Sequence, residues 1–151
     1  MLSVNRLREF LIEAKEAIEG INRAVMVVDD SELVRFMEDH KPGENTLLVG
    51  VMPQFHTIGR DDSIKMVNQL QFFIVDKSTT KSINHDEYLQ MFERTQDIAR
   101  EFLYYLLGLK TEGDFCGIWA ELQEHGIEIV PVWRKAMCNG WVISIDLISN
   151  V

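Results

Sequence analysis

Residues 85–107, HDEYLQMFERTQDIAREFLYYLL, constrain the fold more than any other stretch of this chain. Leu89, Phe92, Gln96, Ala99, Phe102, Leu103 and Leu106 trace one stripe at helical spacing. Asn84, with Glu87 three residues on, makes a variant capping box at the start. Gly108 is the expected stop. At ~1.5 Å per residue, a helix of this length crosses a whole sheet. Such a stripe has to be buried, so the rest of the chain must supply an apolar surface for it.

Alternating segments supply that surface. IKMVNQLQFFIVDK (64–77) reads as a long strand with Ile64, Met66, Leu70, Phe72 and Ile74 on one face. Its other face is polar at Lys65, Gln69 and Gln71 and apolar at Val67, Phe73 and Val75, as if a partner covered only part of it. AVMVV (24–28) and TLLVGVMP (46–53) read as buried strands, with Gly50 at a bulge or close approach. IEIVPVW (127–133) reads as a strand whose Pro131 belongs at an edge or bulge. In the closing run, Trp141, Ile143, Ile145 and Leu147 alternate and are expected to face the helices. RKAMCNG (134–140) reads as the turn into it, with Asn139-Gly140, which tolerates positive φ, as the expected tight hairpin turn.

The remaining elements are shorter. Val4, Leu7, Leu11, Ala14 and Ile18 predict an N-terminal helix, with Phe10 beside them, Ser3 as N-cap and Gly20 as stop. Asp30 or Ser31 is expected to cap a short helix carrying Leu33, Val34 and Met37. KPGEN reads as a turn, and QFHTIGRDDS (54–63) and STTKSIN (78–84) as polar loops. FCGIWAELQEHG (115–126) fits a short strand or a helical turn. The order of elements predicts one α+β domain over residues 1–151. Its antiparallel or mixed sheet has four to five strands, and the N-terminal and long helices lie mainly on one face.

Composition narrows the function. A length of 151 residues suits a single domain. The net charge of −9 argues against a general or sequence-specific grip on nucleic acid, which needs a basic patch. No apolar run reaches the ~20 residues that span a bilayer. Charges interrupt the start, MLSVNRLREFLIEAKEAIEG, so it does not read as a signal peptide, and the expected place of synthesis and residence is the cytoplasm. Cys116 and Cys138 have no metal-ligand spacing and are expected to be reduced, partly buried thiols.

The candidate chemistry is thin. Asp29-Asp30 at a strand end is a pair that holds Mg²⁺ in other settings, but no third ligand stands at a readable spacing, and helix capping explains it. Asp61-Asp62 sits in a turn-forming context. His40, His56, His85 and His125 fall in four separate segments with no HxH or HExxH spacing. Ser78, Thr79, Thr80 and Ser82 make a hydroxyl-rich run that a loop explains. There is no GxSxG, Walker loop or GxGxxG, and GLKTEG is too short for a phosphate loop. No catalytic, cofactor-binding or metal-ligating residue is assigned. Trp119, Trp133 and Trp141 gather in the last third; the last two are placed to pair across a hairpin, in the core or at a protein interface.

The succession of an N-terminal helix, a strand region, FFIVDKSTT, the helix HDEYLQMFERTQDIAREF, IEIVPVW and a closing GWVISIDL resembles the small tail-completion proteins of tailed phages and prophages. Tail terminators and head–tail joining proteins are the nearest types. The resemblance lies in architecture over most of the chain, because these families carry no catalytic signature and no fixed site positions. It implies a non-catalytic ring of identical subunits, commonly sixfold, that contacts other tail or connector proteins and resides in the virion. The long strand with its half-apolar second face, and the polar loops 53–63 and 76–84, would then be contact surfaces. Two other classes remain open: an adaptor or regulatory module binding one protein, and a small metal-dependent enzyme built on the acidic pairs.

Overall fold

The computed structural model describes residues 1–60, 62–79, 83–112 and 118–150. Element order is α1 (Val4–Ala17), β1 (Arg23–Val27), α2 (Asp30–Asp39), β2 (Leu47–Ile58), β3 (Lys65–Lys77), α3 (His85–Glu112), β4 (Glu128–Lys135) and β5 (Cys138–Asn150). The fold is α+β, with a mixed five-stranded sheet ordered β1-β2-β3-β5-β4. β1 runs parallel to β2 because α2 carries the chain over the sheet between them, and every other pairing is antiparallel.

α1 and α3 cover one face. Leu7, Phe10, Leu11 and Ala14 of α1 and Ala99, Phe102 and Leu106 of α3 pack on Leu48, Leu70, Phe72, Ile74, Ile143, Ile145 and Leu147. Phe10 is the centre of this layer, with ring centroids 5.7 Å from Phe72, 5.9 Å from Phe102 and 4.3 Å from Trp119. Gly50 is the close approach beneath α1: a Cβ there would stand 2.7 Å from a methyl of Leu11. The expected inward face of the last strand, Trp141 apart, is fully buried.

α2 lies on the opposite face. Its Leu33 and Met37 seal Val27, Leu47, Val49, Phe73, Val75, Val132 and Cys138. This explains the divided second face of β3. The apolar end lies under α2, while Lys65, Gln69 and Gln71 are exposed beyond its reach.

Several boundaries differ from the sequence expectation. α3 runs through Gly108 to Glu112, because Leu107 and Leu109 still pack on the core and a glycine inside a helix costs only about 1 kcal/mol. Asp29, rather than Asp30 or Ser31, caps α2: its carboxylate accepts from Glu32 N at 2.9 Å, and Glu32 reaches back to Val28 N at 2.6 Å. β2 continues to Ile58 through the stretch read as a loop, with a register shift between Val51 and Gln54 around Pro53. β3 ends at Lys77 as expected, and Ile64 lies just outside its start. Within 115–126, residues 115–117 lie outside the described ones, and short 3-10 turns occupy Ile118–Glu121 and Glu124–Gly126.

The β4–β5 turn also moves. It falls at Ala136-Met137, with φ of 48° and 63°, and not at Asn139-Gly140. Asn139 is buried, and its side-chain oxygen accepts from Arg134 N at 2.8 Å. Gly140 sits inside the strand, where a Cβ would fall 2.1 Å from the Ile74 carbonyl oxygen. Its glycine answers a close crossing of β3, so it leaves the turn to its neighbours.

Candidate functional site

Two surface features stand out, one polar and one apolar. The polar one is a cleft of about 760 Å³ where the end of β3, the start of β2 and α3 meet. Behind it lies Asp76, fully buried at the end of an apolar strand. One carboxylate oxygen accepts from Thr46 Oγ1 at 2.7 Å, and the other accepts from Arg94 Nε at 2.7 Å and from Arg94 Nη2. Asn45 extends the network, accepting from Lys77 N at 2.9 Å and donating to Lys77 O at 2.9 Å. Lys77 Nζ donates in turn to Met37 O at 2.9 Å at the end of α2. These polar groups are spent on one another, and the network ties α2, β2, β3 and α3 together. A buried charge needs this pairing, since leaving it alone would cost several kcal/mol.

His40 closes the same corner. Its ring is buried, and Nε2 lies 2.9 Å from Asn45 Oδ1. That oxygen is an acceptor already, so Nε2 carries the proton and Nδ1 is bare. Nδ1 has no hydrogen-bond partner among the described residues and lies 3.8 Å from a Glu44 carboxylate oxygen. Burial lowers the His40 pKa below its ordinary 6.5, and the Asn45 hydrogen bond opposes the shift.

The apolar feature is a groove between the first half of α3 and the edge strand β4. Trp133 packs against Tyr88, with centroids 4.7 Å apart, and stacks on Phe92 at 6.2 Å. Trp141 meets Phe92 edge-on at 5.8 Å and donates from Nε1 to the Phe92 carbonyl at 3.1 Å. The two tryptophans therefore converge on Phe92; the residue opposite Trp141 across the hairpin is Pro131. The walls stay open: Leu89 is 53% exposed, Trp133 54% and Ile129 42%. The space bordered by Leu89 and Trp133 is about 640 Å³, and a neighbouring hollow of about 330 Å³, lined by Ile129, shares Gln96 and Trp141.

The other residues singled out from the sequence are scattered. Asp29 is consumed by capping and Asp30 pairs with Lys135. Asp62 is exposed, and Asp61 lies outside the described residues. His56, His85 and His125 are exposed on separate elements. Ser78 donates to Met137 O at 3.2 Å; Thr80 and Ser82 lie outside the described residues. Cys138 is buried, which pushes its thiol up to about 11, and Cys116 lies outside the described residues. Trp119 is core. Among the described residues no three His, Cys, Asp or Glu side chains gather as a metal site, and no helix is long and apolar enough to cross a membrane.

No protein-family model and no curated protein matches the chain. What distinguishes it is therefore its own geometry. The Asp76–Arg94 network escaped the sequence reading, although a lone Asp closing the run FFIV is the trace it leaves. The groove was half visible, through the tryptophans and the stripe that meets them.

Proposed function

We propose that the chain is a non-catalytic structural subunit that works by assembly, of the tail-terminator or head–tail joining type, forming a ring with copies of itself. The observation that carries the reading is the open aromatic groove at β4. A side-chain surface with Trp133 and Leu89 each more than half exposed is what a protein contact uses, because Trp is common at hot spots and large exposed apolar patches mark interaction sites. The element order that resembles tail-completion proteins supplies the kind of assembly.

The test is the mass of the purified protein in solution together with electron micrographs, alone and mixed with phage tail tubes. Closed rings, free or capping tube ends, are the expected result. An adaptor for one unlike protein would use the same groove but form no ring. A chain that is monomeric throughout, with bare tube ends, overturns the proposal.

A further inference from the structure

We infer that His40 and Glu44 form a proton-operated latch: when His40 Nδ1 takes a proton, the Glu44 carboxylate closes onto it and fixes the turn Pro42–Glu44 at the rim of the polar cleft. The latch does not depend on the ring reading.

The hydrogen bonds leave one place for the proton. Asn45 accepts from Lys77 N through Oδ1 and donates to Lys77 O through Nδ2, so its amide cannot be turned round. Its Oδ1 therefore meets His40 as an acceptor, and Nε2, 2.9 Å away, is the donor. Nδ1 keeps a bare lone pair. The ring is 1% exposed, and Nδ1 has no hydrogen-bond partner among the described residues.

What Nδ1 faces is a second acceptor. Glu44 Oε2 lies 3.8 Å away, and the same oxygen lies 3.6 Å from Arg23 Nη1. Two acceptors form no hydrogen bond until a proton stands between them, so nothing draws the carboxylate nearer. With Nδ1 protonated, the pair can make a charge-assisted bond, which is shorter than the present separation by about 1 Å. Glu44 is free to make that move. Its side chain is 50% exposed, and Arg23 stands beyond ordinary hydrogen-bond length.

The turn that carries Glu44 is lightly held. It is a single 3-10 turn, closed by Glu44 N donating to Lys41 O at 2.9 Å and Asn45 N to Pro42 O at 3.3 Å. Gly43 has open space where a side chain would stand. Pro42 and Asn45 on either side of it line the cleft, and Asn22 donates to the Asn45 carbonyl. A carboxylate drawn inward therefore sets the position of that rim.

The charges around the ring decide when this happens. Arg23 of β1 and Lys77 of β3 oppose the proton, and Glu44 favours it. Asp76, behind the cleft, is paired with Arg94. Glu38, Asp39 and Lys41, the charged neighbours along the chain, are exposed. Burial pushes the His40 pKa below its ordinary 6.5, and the Asn45 hydrogen bond opposes the shift. The latch is thus open at neutral pH and closes in mild acid.

Nitrogen-15 spectra of the imidazole across a pH series test the inference. His40 should show the Nε2–H tautomer at neutral pH and take one proton at Nδ1 below pH 6.5. In Glu44→Gln that titration should move down by about half a pH unit, the scale of an exposed ion pair. Glu38→Gln, which removes an exposed carboxylate on α2, should leave it unmoved. Amide hydrogen exchange reads the closure itself. Corrected for the intrinsic effect of pH, the Glu44 and Asn45 amides of the native chain should exchange about threefold more slowly below the titration than above it, the factor that corresponds to half a unit. Glu44→Gln should abolish that difference. A titration unmoved by Glu44→Gln, an Nδ1–H tautomer at neutral pH, amides that exchange alike on both sides of the step, or unfolding before His40 takes its proton would each overturn the inference.

Discussion

One helix passes through two environments. In its second half α3 presents Ala99, Phe102 and Leu106 to a closed layer, under α1 and against Phe72. In its first half the same stripe presents Leu89 and Phe92 to Trp133 and Trp141, and there the apolar wall stays open. The residue types hardly differ between the halves. The position of the covering layer does: α1 packs over β1 and β2, at the sheet edge away from β4. A stripe fixes which way side chains point, and coverage depends on elements far away in sequence. The closed half stabilises the fold, and the open half is exposed apolar surface.

The largest effect should separate the two halves directly. Phe102→Ala empties a fully buried site beside Phe10 and Phe72 and should cost about 3–5 kcal/mol. Phe92→Ala should cost only about 1–2 kcal/mol, since a half-buried ring loses part of its transfer free energy and leaves no enclosed cavity. Urea unfolding of both variants measures the gap. Equal losses would show that the groove is as closed as the core.

The same contrast explains what the sequence showed. The stripe of α3, the alternation of β3 and β5 and the cap at Asn84 are local patterns, and each appears where expected, with reciprocal 2.9 Å hydrogen bonds at Asn84 and Glu87. The failures lie where a residue answers a distant one. Gly140 looked like a turn glycine, but the backbone of β3 requires it. Gly108 looked like a stop, but leucines on both sides hold the helix together. The polar-looking stretch after Pro53 forms strand because β3 offers it a partner. Asp76 stands at the end of β3 and Arg94 on α3, so no periodicity within one element links them, and only the fold brings them together.

A smaller effect should come from the corner beneath α2, where cover is complete but polar. The folded-state pKa of His40 is lowered, so above its ordinary 6.5 the ring is neutral in both states and costs nothing. As pH falls below 6.5 the unfolded chain takes the proton first, and stability is lost until the folded-state pKa is passed. Native stability should therefore fall between neutral and mildly acidic pH more than that of His40→Gln, which has no such proton to take. Parallel stability–pH curves for the two proteins would exclude this assignment. Loss confined to the native chain would mark a closed site whose burial acts on charge, where the groove acts by exposing carbon.

The smallest effect on stability belongs to the open wall itself. Leu89 is 53% exposed and stands on a helix, where glutamine is also well tolerated. Leu89→Gln should change unfolding free energy by no more than about 0.5 kcal/mol, as surface substitutions away from special features do. Under the assembly reading, the same change removes apolar area that a neighbouring subunit would cover, so its effect should appear in association alone. Chemical denaturation at low concentration and sedimentation at high concentration, on one preparation, separate the two. A clear loss of stability would place Leu89 with Phe102 in a closed layer. An unchanged stability with weakened association would show that α3 folds the subunit with one half of its stripe and joins it to another with the rest.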